Sequence, residues 1–137
     1  MNAFIYFTII CIIKTFIGVK MRVLSIRQPY ASRIIEGRKT IELRSWNTSF
    51  RGRFYIHASG KHPTLPTSAI VGTVELIDVV KYTSKSKFLM DRKKHLLNSW
   101  INSTNKKQFK YGFILKNPRA VKPILTKGRL GFWDFGK

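Results

Sequence analysis

From position 21 onward, short apolar runs and alternating segments follow one another at strand length. Val23-Leu24-Ser25-Ile26 is a compact apolar run that predicts a buried strand. Gln28 to Glu36 predicts a helix: Pro29 suits its first turn, Tyr30, Ile34 and Ile35 form an apolar stripe, and Gly37 stops it. Lys39 to Arg44 alternates, with Ile41 and Leu43 on one face and Thr40, Glu42 and Arg44 on the other. After a polar loop around Trp46, Arg53 to Ser59 alternates again. Its period puts Phe54, Ile56 and Ala58 inward and Tyr55, His57 and Ser59 outward. Ala69 to Val80 is the longest strand candidate, with Gly72 as a bulge. Residues 81–109, dense in Lys and Arg, carry Phe88, Leu89, Leu96, Leu97 and Trp100 at helical spacing. They predict a basic amphipathic helix followed by a polar loop from Asn102 to Lys107. Tyr111 to Lys116 is a strand, Asn117-Pro118 a turn, and Leu130 to Phe135 a closing strand. About six short strands with one or two flanking helices predict an α+β fold built on a small, partly closed β-barrel.

The first twenty residues follow a different pattern. Phe4 to Ile13 is an unbroken apolar run ended by Lys14. Spanning a bilayer takes about 20 apolar residues, so this run is short for that purpose. No Lys or Arg precedes it, and no small-residue cleavage site follows. Met21 opens a natural first strand, MRVLSI. Residues 1–20 are therefore read as an extension (an upstream start, a signal or an anchor) and 21–137 as the domain. Membrane contact is expected only through residues 1–20. A cytoplasmic monomer is expected otherwise.

Composition narrows the chemistry. The single cysteine, Cys11, excludes a disulfide framework and a CxxC pair. His57, His62 and His95 stand in no metal-binding spacing, and no Gly-rich phosphate loop occurs, so neither metal nor cofactor is expected. Lys and Arg number 26 against 6 Asp and Glu, giving a formal charge of +20. Such a field attracts polyanions, RNA or DNA before an acidic membrane. Codon bias in an AT-rich genome would raise Lys, but it would raise the acids as well.

The segment Gly37-Arg38-Lys39-Thr40-Ile41-Glu42-Leu43-Arg44 reads GxKxxExR, and Leu24 to Ser32 reads LSxxQPxAS. Arg44-Ser45-Trp46 with Arg51-Gly52-Arg53, Ala69-Ile70-Val71-Gly72, Tyr111 to Pro118 and Gly131-Phe132-Trp133 follow in order. Over residues 21–137 this resembles the ASCH (activating signal cointegrator homology) domains of the PUA-like superfamily, cointegrator-type branch. The resemblance implies a small β-barrel that binds RNA or DNA, single-stranded RNA foremost, in the cleft beside the GxKxxExR motif. A shorter bacterial branch hydrolyses 4-acetylcytidine without metal, using the motif lysine, a threonine and a downstream glutamate. Here Lys39 matches, but Glu42 stands at the threonine position and no glutamate follows Glu75. A binding module is expected over an enzyme; the alternative is a metal-free hydrolase of modified nucleosides or of RNA, with Lys39 and Glu42 as its catalytic candidates.

The candidate nucleic-acid site comprises Ser25, Gln28, Lys39, Glu42, Arg44, Trp46, Arg51, Arg53 and His57. Lys39, Glu42 and Arg44 form either an ordinary surface ion pair or a cleft floor. In the latter, Glu42 orients the cations and Arg44 grips phosphate or a base edge. Gln28 either caps its helix or reads a base edge. Trp46 either closes the barrel mouth or stacks on a base.

Overall fold

In the computed structural model the described residues are Ile9 and 21–136. The expectations for the extension, Cys11 included, fall outside them apart from Ile9. Among the described residues no helix is long and apolar enough to cross a membrane. The strands are β1 (Met21–Arg27), β2 (Ile41–Arg44), β3 (Gly52–Ser59), β4 (Ala69–Lys81), β5 (Tyr111–Leu125) and β6 (Phe132–Phe135). The helices are short: α1 (Tyr30–Ile35), α2 (Lys85–Met90) and α3 (Arg92–His95).

The strands form one mixed sheet in the order β2-β5-β4-β3-β1-β6, with only β1 and β3 parallel. The sheet curls far enough for Phe113 of β5 and Phe132 of β6 to stack at 6.3 Å, yet β2 and β6 remain unpaired edges. The expected partly closed barrel is therefore an open, coiled sheet. Trp46 fills its seam, edge-on to Phe113 at 5.3 Å and to Phe132 at 5.9 Å. The main core lies inside the curl and includes Leu24, Ile26, Phe54, Ile56, Val74, Phe113 and Leu115, with Ala31 and Ile34 of α1 packed on it. Full burial of each large apolar side chain contributes about 1.5–3 kcal/mol.

Three departures from the sequence pattern have physical causes. First, the outer face of β1 and β3 is also covered, by Met21, Val23, Tyr55, Ile70 and Trp133. Alternation assumes one wet face, and here there is none. Second, residues 81–109 are not one helix. Leu96 adopts φ +67 and ends α3, and the chain continues as a loop closed by the Ile101–Gln108 bridge. Phe88, Leu89, Leu97 and Trp100 still meet in one cluster with Ile41, Leu43 and Tyr82, reaching it from helix and loop alike. Third, β5 runs through the expected Asn117-Pro118 turn. Asn117 takes φ +54 and the register with β4 shifts there. Because β2 covers only Tyr111 to Ile114, the rest of β5 has a free edge that tolerates Pro118 and Pro123. The expected bulge at Gly72 is present, as a register shift between Ile70 and Gly72 against β5.

Candidate nucleic-acid interface

The GxKxxExR segment runs from the end of α1 into β2. Gly37, at φ +79, supplies the left-handed turn after the helix, and the amides of Arg38 and Lys39 both donate to the Arg33 carbonyl. This turn drives Lys39 under α3, where it is only 2% exposed. Its Nζ donates to the His95 carbonyl at 2.7 Å and lies 3.6 Å from Glu42 Oε1 and 5.2 Å from the Tyr30 ring centre. Burial lowers the Lys39 pKa; the Glu42 carboxylate opposes this, while Arg44 and Arg33 add to the lowering.

Glu42 Oε2 lies 3.4 Å from Arg44 Nη2, and that same nitrogen donates to the Ser25 carbonyl at 2.7 Å. Arg44 thus bridges the open seam from β2 to β1. Its guanidinium stands 5.8 Å over the Trp46 ring, and its buried Nε has no hydrogen-bond partner among the described residues. Such an orphan donor is uncommon in a folded interior.

These residues floor a cleft of about 370 Å³. Its opposite wall is the loop after α3, with Leu97, Ser99, Asn102, Ser103, Thr104 and Phe109. Sequence reading missed this wall; its only signal was the Ser/Thr/Asn-rich stretch between Trp100 and Phe109. His95 anchors the wall from below. Its Nε2–H donates to the Phe88 carbonyl at 2.7 Å, which leaves Nδ1 to accept the Leu97 amide at 3.1 Å. Burial lowers the His95 pKa, with the Phe88 hydrogen bond and Asp91 opposing and Lys39 adding to the lowering.

Of the nine residues singled out, the structure brings Ser25, Gln28, Lys39, Glu42 and Arg44 together around this cleft. Gln28 caps α1: its Oε1 accepts the Ser32 amide, and its Nε2 donates to Ser32 Oγ and the Pro66 carbonyl. Trp46 lines an adjoining cleft of about 290 Å³. The remaining three lie elsewhere. Arg51 is exposed and donates to the Thr48 and Phe50 carbonyls. Arg53 pairs with Glu75 at 3.0 Å and donates to Thr73 and the Asn117 carbonyl.

His57 lies on the outer face that its position in the alternation predicts, but that face is covered and the residue is 2% exposed. Its Nε2 lies 2.7 Å from the Thr126 carbonyl, an acceptor only, so Nε2 carries the proton and Nδ1 accepts from Ser25 Oγ at 3.0 Å. Trp133 lies edge-on to its ring at 5.9 Å. The hydroxyl of Ser25 therefore belongs to this packed cluster, while its carbonyl serves the cleft. Among the described residues no three His, Cys, Asp or Glu side chains gather as a metal site would require.

Comparison with known proteins places the family and the fold. The family model for the ASCH domain matches residues 24–124. Activating signal cointegrator 1 of Mus musculus and that of Homo sapiens are each 27% identical over 135 residues, covering 80% of this chain and 21% of the relative. The chain thus spans about a fifth of the length of these curated relatives. Crystal structures of an ASCH protein from Zymomonas mobilis share the fold. A variant superposes with TM-score 0.68 at 17% identity, covering 86% of this chain and 89% of that one. Another structure of that protein gives 0.66 at 18% identity, with the same coverage.

Proposed function

The chain belongs to the ASCH domain family, and on that premise we propose that it binds nucleic acid, single-stranded RNA by preference, in the cleft over Lys39, Glu42 and Arg44. The observation that carries this reading is the Lys39–Glu42–Arg44 chain of ion pairs at 3.6 and 3.4 Å, lining a cleft whose other wall is rich in neutral donors and acceptors. The carboxylate holds two cationic heads in fixed positions. Arg44 keeps donors in reserve for a phosphate or base oxygen. The hydroxyls and amides of Ser99, Asn102, Ser103 and Thr104 suit the edges of an unstacked base.

The helices that lead into the cleft wall, and the wall loop itself, are basic. Lys85, Lys87, Arg92, Lys93 and Lys94 are exposed on and beside α2 and α3, and Lys106, Lys107 and Lys110 on the wall loop. These supply the long-range attraction and backbone tracking that charge at this density gives. Lys39 is tied to a carbonyl and a carboxylate, which suits a fixed floor more than a nucleophile. Glu42 in place of the hydrolase threonine points the same way.

Fluorescence anisotropy with a labelled single-stranded oligoribonucleotide tests the proposal. Saturable binding that Arg44→Ala weakens is the expected result. Absence of binding, or equal binding by Arg44→Ala, would overturn it.

A further inference from the structure

Two clefts lie side by side at the seam, and Leu43, Arg44, Asn102 and Phe109 line both. Neither is large: about 370 and 290 Å³, at the low end for ligand sites, so each has room for one nucleotide-sized group. Their linings differ. The first carries the Lys39–Glu42 pair and neutral loop groups, the second Trp46, Asn105 and Lys107. Single-strand sites combine aromatic side chains with cations that track the backbone, and Trp46 with Lys107 brings that combination to the second cleft.

Arg44 stands on the partition. One nitrogen of its guanidinium is already held by the Ser25 carbonyl and Glu42, which fixes the plane of the fork. Its Nε is sealed from the clefts, so the donors left for a ligand are those of Nη1, which has no hydrogen bond among the described residues on a side chain that is partly exposed. A fixed guanidinium with unused donors between two compartments suits an anionic oxygen that spans them. We propose that the two clefts form one groove seating two consecutive nucleotides of a single RNA strand, with Arg44 holding the phosphate that joins them. This rests on the RNA-binding reading above and adds the footprint and the register to it.

Calorimetric titration of the full chain separates the two claims. The probes are 5′-phosphorylated mono-, di- and trinucleotides of RNA, at salt high enough to screen the outer basic surface. The dinucleotide binds about tenfold or more tightly than either mononucleotide, and the third nucleotide adds less than about threefold. A neutral methylphosphonate linkage removes the dinucleotide's advantage. Lys107→Ala, at an exposed position that lines the second cleft, lowers dinucleotide affinity several-fold.

Equal affinity for mono- and dinucleotide, or a third nucleotide that adds as much as the second, overturns the two-nucleotide groove while RNA binding stands. A methylphosphonate dinucleotide that binds as well as the phosphodiester overturns the role given to Arg44. No binding of any probe or of longer single-stranded RNA overturns both proposals.

Discussion

Lys39 Nζ donates to the carbonyl of His95 at 2.7 Å, across 56 positions of sequence. This bond ties the start of the GxKxxExR strand to the end of α3, where the cleft wall begins. Floor and wall are thereby one unit, and a change to either residue reaches the other.

Removing the amine tests that unit. Lys39→Ala leaves the His95 carbonyl and one side of Glu42 without their donor in a buried setting. The expected loss of stability is about 3–5 kcal/mol in urea unfolding. Lys39→Met refills the space and recovers part of it. A loss below about 1 kcal/mol for the alanine variant would show that the pair is not a structural tie.

Acid acts through His95. Its folded pKa lies below the ordinary imidazole value of about 6.5, so below that pH the unfolded chain binds more protons than the folded one. Stability from this group is complete above about pH 6.5 and is lost as pH falls toward the folded pKa. Protonation also removes the lone pair that accepts the Leu97 amide. Lys39, Asp91 and Tyr82 share its surroundings, and the positive field of Lys39 adds to the effect. Thermal unfolding followed from pH 7.5 to 5 should show a falling Tm that His95→Gln flattens. Parallel curves for the two proteins would contradict this origin.

Gly128 guards the second packed face. A Cβ there would lie 2.7 Å from His57 Cε1 and 2.8 Å from Ser25 Oγ, both held by the Ser25–His57–Thr126 hydrogen bonds. Gly128→Ala is expected to cost about 1–3 kcal/mol by overpacking. An unchanged unfolding midpoint would mean that residues 126–131 move aside freely.

The parts of this architecture that sequence made legible are those in which one rule acts alone. The strand positions of β1 to β4 and β6, the glycine stop of α1 and the cluster at Lys39, Glu42 and Arg44 follow from alternation, turn chemistry and motif. His57 occupies the face that period two assigns to it, but the period does not reveal that Trp133 and the Thr126–Gly128 segment cover that face. The 81–109 segment misled because Phe88 reaches its cluster from a helix, and Leu97 and Trp100 from a loop. Helical spacing does not distinguish these routes. The wall around Asn102 looked like any polar loop, since its role depends on where Leu96 turns the chain.

Glu42 separates binding from catalysis. Glu42→Gln keeps shape and hydrogen-bonding capacity but removes a negative charge from the cleft. RNA affinity should stay the same or rise, with discrimination among ligands relaxed, whereas Arg44→Ala should lose about 1–3 kcal/mol of binding. A metal-independent hydrolysis of 4-acetylcytidine or RNA that vanishes in Glu42→Gln would contradict the binding reading.

The most direct test of the central claim is the salt dependence of single-stranded RNA affinity in the full chain. Contact with about 5–7 phosphates predicts that log affinity falls with log salt at a slope of about −3.5 to −5. Arg44→Ala should make that slope shallower by about one contact. A nearly flat response in the wild type would contradict RNA held in the cleft with its backbone tracked by the basic surface beside it.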